Sequence, residues 1–571
     1  HIDLPAGLTE IGGRAFGACD ALLEIVIPSG VTGLNETFMN CDSLTSVTLP
    51  ASLTSIGGRT FESCVNLTSI TLPEGLTELG GSAFNNCNSL MSIEIPAGVP
   101  VLHDWTFYGC ENLTSVTLHE GLMRIGNYTF EDCVSLQSIT LPGTLEYIGY
   151  QAFRDCDSLT EMTVPEGVTE ISDYAFGWCD QLSTLNLPDS LENLGYGVFY
   201  DDPMLESIAL PASVTDIQGV FAQCSGLKYI TLSDSITEIS DSAFSDCQNL
   251  VLVNLPRNLE RIGDYAFYGC SGLEALDLPE TVTSLGNYAF SGCTKLKDIV
   301  LPDGLTQIGY QAFGDCASIE SVTLPENVTD ISNVFYNCNN LTTVTLSDSI
   351  IEIGSYAFEN CDNLVTVNLP ANLERVGIGA FSGCASLTTL DLPQTVNSIG
   401  SSAFSGCSML ENLVIPDGVT EIGQYAFAHC ASLESITIPA SVTDIGGVFY
   451  DCENLKIVTL SDSTVEIQGS TFQNCASLET VNLPATLKII GDSAFDGCEK
   501  LTSIVLPEGL ETIGNYAFDN CDGLTEIVIP ASVTQIGYYA FANCDQLERI
   551  TISGDIGDSG SVFYNCPKLT T

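Results

Sequence analysis

The sequence predicts a solenoid of the α/β type, built from about 25 coils of 22–23 residues, with a parallel β-sheet on one face and short helical or 3-10 turns on the other. Three observations predict it. Cysteine recurs at a fixed interval, since Cys41, Cys64, Cys87, Cys110, Cys133, Cys156 and Cys179 follow one another every 23 residues, and a fixed period of this length marks a repeat protein. The apolar residues between cysteines fall in the same slots of each period. The composition, 45% hydrophobic and only 15% charged over 571 residues, supplies a continuous core beneath a surface of Ser, Thr, Asn and Asp. Periodicity overrides the several globular domains that this length would otherwise suggest, so residues 1–571 are expected to form one continuous stack lacking evident caps.

One period, Leu67 to Ser89, shows the slots: Leu67, Ile70, Leu72, Pro73, Leu76, Leu79, Gly80, Ala83, Phe84 and Cys87. Ile70 and Leu72 alternate with Ser69 and Thr71, the period-two pattern of a strand with one buried face, which should stack in parallel on its copies. Pro73 has no amide hydrogen and ends the strand. Leu76 and Leu79 return apolar side chains to the core, and Gly80 permits a tight or positive-φ bend. The spacing in Ser82-Ala83-Phe84-Asn85-Asn86-Cys87 predicts a short helical turn on the outer side. Phe84, Cys87, Phe313 and Cys316 are expected core residues. A single coil buries too little to fold alone, so stability should be cooperative along the stack.

The Leu-Pro strand end, the Ile-Gly and the Ala-Phe-x-x-Cys closely resemble the BspA-like class of leucine-rich repeats, and the resemblance runs from Leu4 to Leu569. It implies a right-handed leucine-rich-repeat solenoid, and bacterial or protist surface proteins that adhere to host matrix proteins or other cells. Departures are local: Asp202-Pro203 stands in the cysteine slot, His103 in the glycine slot, and Leu118-His119 replaces Leu-Pro.

A longer period overlies the first. Cys224, Cys338, Cys452 and Cys566 are 114 residues apart, four coils of 23 and one of 22, which makes super-repeats of five coils over about 97–566. The short coil loses one residue and carries Val220, Val334 or Val448 before the phenylalanine, and Ser233, Ser347 and Ser461 take the proline slot of the next coil. Recent tandem duplication accounts for this; a notch on the outer face, repeated every five coils, is the functional alternative.

The 72 acidic and 15 basic residues give a net charge of −57, a field that repels nucleic acid and anionic membranes. Distributed acid of this kind keeps a long molecule soluble. No apolar run reaches the roughly 18 residues of a membrane span, and no signal peptide precedes His1, so membrane insertion by this segment is not expected. Because Ile2 and Leu4 already lie inside a repeat, the chain reads as a piece of something longer or processed.

The chemistry-bearing residues form no catalytic set. The 24 cysteines include no C-x-x-C pair, and in-register stacking would hold their Cβ atoms about 4.8 Å apart with parallel vectors, beyond ordinary disulfide geometry. They are expected to be a ladder of buried thiols. His1, His103, His119 and His429 sit in no metal or nucleophile motif. Gly557-Asp558-Ser559-Gly560 resembles a serine-protease fragment and Gly377-Ile378-Gly379-Ala380-Phe381-Ser382-Gly383 a phosphate loop, both at coil bends where Gly and Ser are needed structurally. No cofactor, metal or catalytic residue is predicted. Asp132, Asp155, Asp157 and Asp180 crowd one edge without a calcium-loop pattern. A tyrosine recurs before Ala-Phe or Thr-Phe, as at Tyr128, Tyr174, Tyr265 and Tyr288, with Trp105 in the same slot, and is expected to cover the next coil.

The exposed strand positions are the candidate binding surface: Ser69 and Thr71, Ser115 and Thr117, Ser138 and Thr140, Ser321 and Thr323, Thr343 and Thr345. They predict hydroxyl ladders on the open sheet face, although Thr on a solvated sheet also follows from β-propensity alone. The expected function is an extracellular or cell-surface, non-catalytic protein–protein interaction or adhesion module. Its partners would be a protein or glycan on a host, matrix or neighbouring cell. The alternative is a structural repeat protein that polymerises end to end into a surface filament, because both ends of the stack leave apolar residues open.

Overall fold

The computed structural model describes residues 2–556 and 560–570. It comprises two compact units, His1–Cys293 and Thr294–Thr571. Each is a parallel-strand solenoid in which a strand pairs with its copy one coil away. In the first unit Ser115–Thr117 lies between Ser92–Glu94 and Ser138–Ile139, with Ser115 beside both Ser92 and Ser138. In the second, Thr343–Thr345 lies between Ser321–Thr323 and Thr366–Asn368. The alternation read from sequence fixes the faces: Val116 and Val344 are buried while the residues flanking them in each strand are exposed.

The type coil departs in one respect. Ser69, Ile70 and Thr71 keep the alternation but form no strand, and Thr140 lies just beyond the strand Ser138–Ile139. Side-chain alternation follows from burying Ile70 and Leu72, which needs no ladder; a three-residue strand has so few ladder bonds that a small shift removes them.

Beyond the proline comes a tight turn. Leu76 N donates to Pro73 O at 3.0 Å, and the bond is kept where serine replaces proline, as from Ile236 N to Ser233 O at 3.0 Å. A second, narrower parallel ladder then forms, which the sequence did not reveal. Val101–Leu102, Arg124–Ile125, Tyr147–Ile148, Glu170–Ile171 and Asn193–Leu194 pair in order in the first unit, as do Glu352–Ile353, Arg375–Val376, Ser398–Ile399 and Glu421–Ile422 in the second. Two residues are too few to display a period of two.

The outer side carries consecutive tight turns instead of the expected helical turn. Ser82, Phe84 and Asn86 donate their amides forward to Asp104 O, Thr106 O and Tyr108 O of the next coil, at 3.0, 2.9 and 2.7 Å. The amides between them close local turns, Ala83 to Gly80 and Cys87 to Phe84. A helix would aim every amide along its own axis. Sending alternate amides sideways requires left-handed backbone at Ser82 (φ 57°) and Asn86 (φ 55°), and residues at these two slots adopt it in coil after coil. Gly80 plays a different part from the one its type suggests. Its φ is not positive; a Cβ there would stand 2.4 Å from Gly58 N and 2.7 Å from Gly57 C, so glycine permits the close approach of successive coils.

Two columns run through the core, packed among its Leu, Ile and Val side chains. Phe84 is fully buried and stacks on Phe61 (5.3 Å between centroids) and Phe107 (5.5 Å), and Phe313 stacks on Phe335 at 5.7 Å. Beside the rings runs a column of cysteines, of which Cys87 and Cys316 have no exposed surface. The buried thiols act as donors as well as apolar fillers: Cys87 Sγ reaches Phe61 O at 3.1 Å and Cys361 Sγ reaches Phe335 O at 3.2 Å. Cys64, Cys87 and Cys110 are unbridged, and burial pushes the Cys110 thiol up to about 12.

Candidate binding surface on the sheet face

The stacked coils place hydroxyl side chains on an open face, and in the first unit they surround a concavity of about 910 Å³. Ser69, Thr71, Ser115 and Thr117 line it together with Ser92, Glu94 and His119. The four candidate residues come from coils two apart, and Ser92 with Glu94 fills the rung between them by strand register. His119, which takes the proline slot, turns its Nε2 to Glu94 Oε1 at 2.9 Å across this face. Both partners are solvated, so the pair orders the surface more than it stabilises the fold. Ser138 is exposed in register with Ser115, and Thr140 is also exposed; neither lines the concavity.

The second unit has a counterpart of about 670 Å³, lined by Ser321, Thr323, Val300, Asp303, Glu326 and Asn327 among others. Thr343 and Thr345 continue the rung beside Ser321 and Thr323. Both concavities are rich in hydroxyl and carboxylate oxygens, which accept hydrogen bonds. Among the described residues no three His, Cys, Asp or Glu side chains are gathered closely enough to hold a metal ion. No helix among them is long and apolar enough to cross a membrane.

The other side chains singled out in the sequence have structural surroundings. The Tyr174 ring lies over the next coil, 2.6 Å from where a Cβ at Gly197 would stand, and Tyr265 stacks on Tyr288 at 4.9 Å. The Gly379 and Gly383 amides are committed to Ser401 O and Ser405 O, which leaves them unavailable to cradle a phosphate. Gly557, Asp558 and Ser559 of the protease-like fragment, and His1, lie outside the described residues. At the acidic edge, Arg154 meets Glu131 at 3.0 Å and Asp155 at 3.3 Å and stacks over Trp178 at 4.4 Å. Burial lifts the Glu131 carboxyl to about 7, against the pull of Arg154. Sequence reading passed over Glu131; the 23-residue spacing to Arg154 was the available signal.

Taken together, slots, ladders and columns define a leucine-rich-repeat solenoid. The chain belongs to the BspA type leucine rich repeat region family, whose model matches it six times, over residues 1–113, 34–157, 101–220, 218–334, 331–448 and 446–570. Among solved structures it is similar to a leucine-rich repeat protein from Bacteroides ovatus, at 32% identity over 64% of this chain and 83% of that one, with a TM-score of 0.43. A leucine rich cell surface protein from Faecalibacterium prausnitzii is 28% identical over 57% of this chain and 88% of its own, TM-score 0.37. A leucine rich repeat protein from T. pallidum is 29% identical over 40% and 82%, TM-score 0.24. No match was found among curated proteins.

Proposed function

We propose that this chain is a non-catalytic interaction and adhesion module, displayed outside the cell, whose partner seats on the open sheet face. The observation that carries the reading is the gathering of Ser69, Thr71, Ser115 and Thr117 around one concavity, with Ser321 and Thr323 lining another. The stacked coils present these hydroxyls on a preformed face, which lowers the ordering cost on binding. Family membership supports surface display, since the resemblance implies surface proteins that adhere to matrix proteins or other cells. The partner is a protein or glycan of a host, matrix or neighbouring cell surface; nucleic acid is disfavoured by the net charge of −57.

Immobilised matrix proteins and a glycan array, probed with the purified chain and with the double variant Thr71→Lys, Thr117→Lys, test the site. Both substitutions fall on exposed positions and should leave stability within about 0.5 kcal/mol. At least tenfold weaker binding by the variant is expected. Equal binding by both chains refutes the sheet-face assignment, and a strictly cytosolic antibody signal from cells producing the parent chain refutes the surface role.

A further inference from the structure

In the regular coils the core thiol donates one hydrogen bond and has the backbone amide of the preceding cysteine beside it. Cys110 Sγ donates to Phe84 O at 3.2 Å, and the Cys87 amide lies beside the same sulfur. Cys270 repeats the arrangement, donating to Phe244 O at 3.0 Å with the Cys247 amide beside it. In the second unit Cys338 does the same with Phe313 O and the Cys316 amide. The donor is thus 26 or 25 residues beyond its phenylalanine.

Asp202 occupies this slot in the first unit with no exposed surface. Its two oxygens stand where the sulfur would meet the amide and the carbonyl. Oδ1 accepts the Cys179 amide at 2.8 Å. Oδ2 is buried and has no hydrogen-bond partner among the described residues. By the 26-residue register, the carbonyl to which a thiol here would donate is that of Phe176. In regular coils this carbonyl also receives the amide three residues on, as Phe107 O receives Cys110 N at 3.1 Å. Here the Cys179 amide has turned to Asp202 instead. An ionised carboxylate would leave Oδ2 a buried acceptor with no donor, a costly arrangement in a dry core. One proton on Oδ2 makes it a donor.

We propose that folded Asp202 is held as the neutral acid, donating from Oδ2 to the Phe176 carbonyl, and that losing this proton locally opens the stack, making an alkali-sensitive latch in the first unit. The surrounding groups act in one direction. Burial drives the Asp202 carboxyl well above the usual carboxylate range, and the Asp201 and Asp180 carboxylates push it further; the Cys179 amide opposes them. The thiols on either side, Cys179 and Cys224, are themselves buried and held neutral. Since the folded value lies above the ordinary 3.8, the latch contributes fully below that pH and is lost as pH rises through the folded value.

Peptide-resolved hydrogen exchange on the full chain, from about pH 6 to about pH 10, tests the proposal. After correction for the intrinsic exchange rate, protection over residues 176–202 should fall by up to about tenfold per pH unit once the folded value is passed, the slope of one released proton. The regular coils around residues 84–110 serve as the internal reference. Asp202→Cys, which restores the thiol of neighbouring coils, should remove the difference between the two regions. Infrared difference spectra of the unsubstituted chain against Asp202→Asn give a second reading: a protonated-carboxyl band at neutral pH that the substitution abolishes. Parallel pH profiles in both regions, an unchanged profile in Asp202→Cys, or no such band would each overturn the proposal.

Discussion

Replacing Phe84 by alanine tests the rung-by-rung column most directly. The ring has no exposed surface and lies between Phe61 and Phe107, tilted 13° from one and 4° from the other. Truncating a buried phenylalanine costs about 3–5 kcal/mol through lost burial and the cavity left behind. Two stacked neighbours place Phe84 toward the upper half of that range, near about 4 kcal/mol, because each ring loses a face worth about 0.5–1.5 kcal/mol. A stack of coils can unfold in parts, so a single denaturation midpoint is a poor measure. The assay is hydrogen exchange resolved to peptides, with Ser69→Ala as a solvent-facing control expected to change little. Protection should fall by about three orders of magnitude over residues 61–110 and little in distant coils. A loss under about 1 kcal/mol, typical of surface substitutions, would refute the column.

Gly80→Ala should destabilise by about 1–3 kcal/mol or more, because the new Cβ would stand 2.4 Å from the Gly58 amide nitrogen, and urea denaturation compared with Gly143→Ala, where only a carboxylate of Glu120 is near, measures it. Glu131→Gln should flatten the dependence of melting temperature on pH: the folded carboxyl sits at about 7 against an ordinary 4.5, so its contribution is complete below about pH 4.5 and is lost as pH climbs through about 7. An identical profile in the two chains would show that Glu131 titrates without consequence for the fold. Cys64, Cys87 and Cys110 should resist a thiol reagent at neutral pH in the native chain and react in denaturant, since burial suppresses their thiolates. Rapid native labelling at these positions, read by mass spectrometry, would contradict their place in the core.

The period, the strand faces and the ring and thiol columns were legible because one side-chain type serves each slot. Phe84 and Cys87 do the same work as their copies, so a pattern in the letters is a pattern in space. The outer turns were illegible for the opposite reason. Left-handed backbone falls on Ser82, Tyr128, Gln151 and Trp105 alike, imposed by the neighbouring coil's carbonyls, and none of these types announces it. Gly80 was visible as a special residue, but type alone does not separate a positive φ from a close approach. The pair of His119 with Glu94 is 25 residues apart, and only the register across two coils brings it onto one face. Asp202 stood out as a departure; the places its two oxygens take become apparent only beside the thiols it replaces.

The flat contact between Tyr174 and Gly197 has a bearing on how such a chain evolves. Tyr196 lies over Gly219, Tyr356 over Gly379 and Tyr425 over Gly447 in the same manner, each within 2.4–2.7 Å of a Cβ the glycine lacks. A ring gained in one copy therefore narrows the residues its successor can carry, and a gene duplication that separates the two would break a matched pair. Inheritance in blocks, with substitutions travelling together at a lag of 22 or 23 positions, is the expected signature in related sequences.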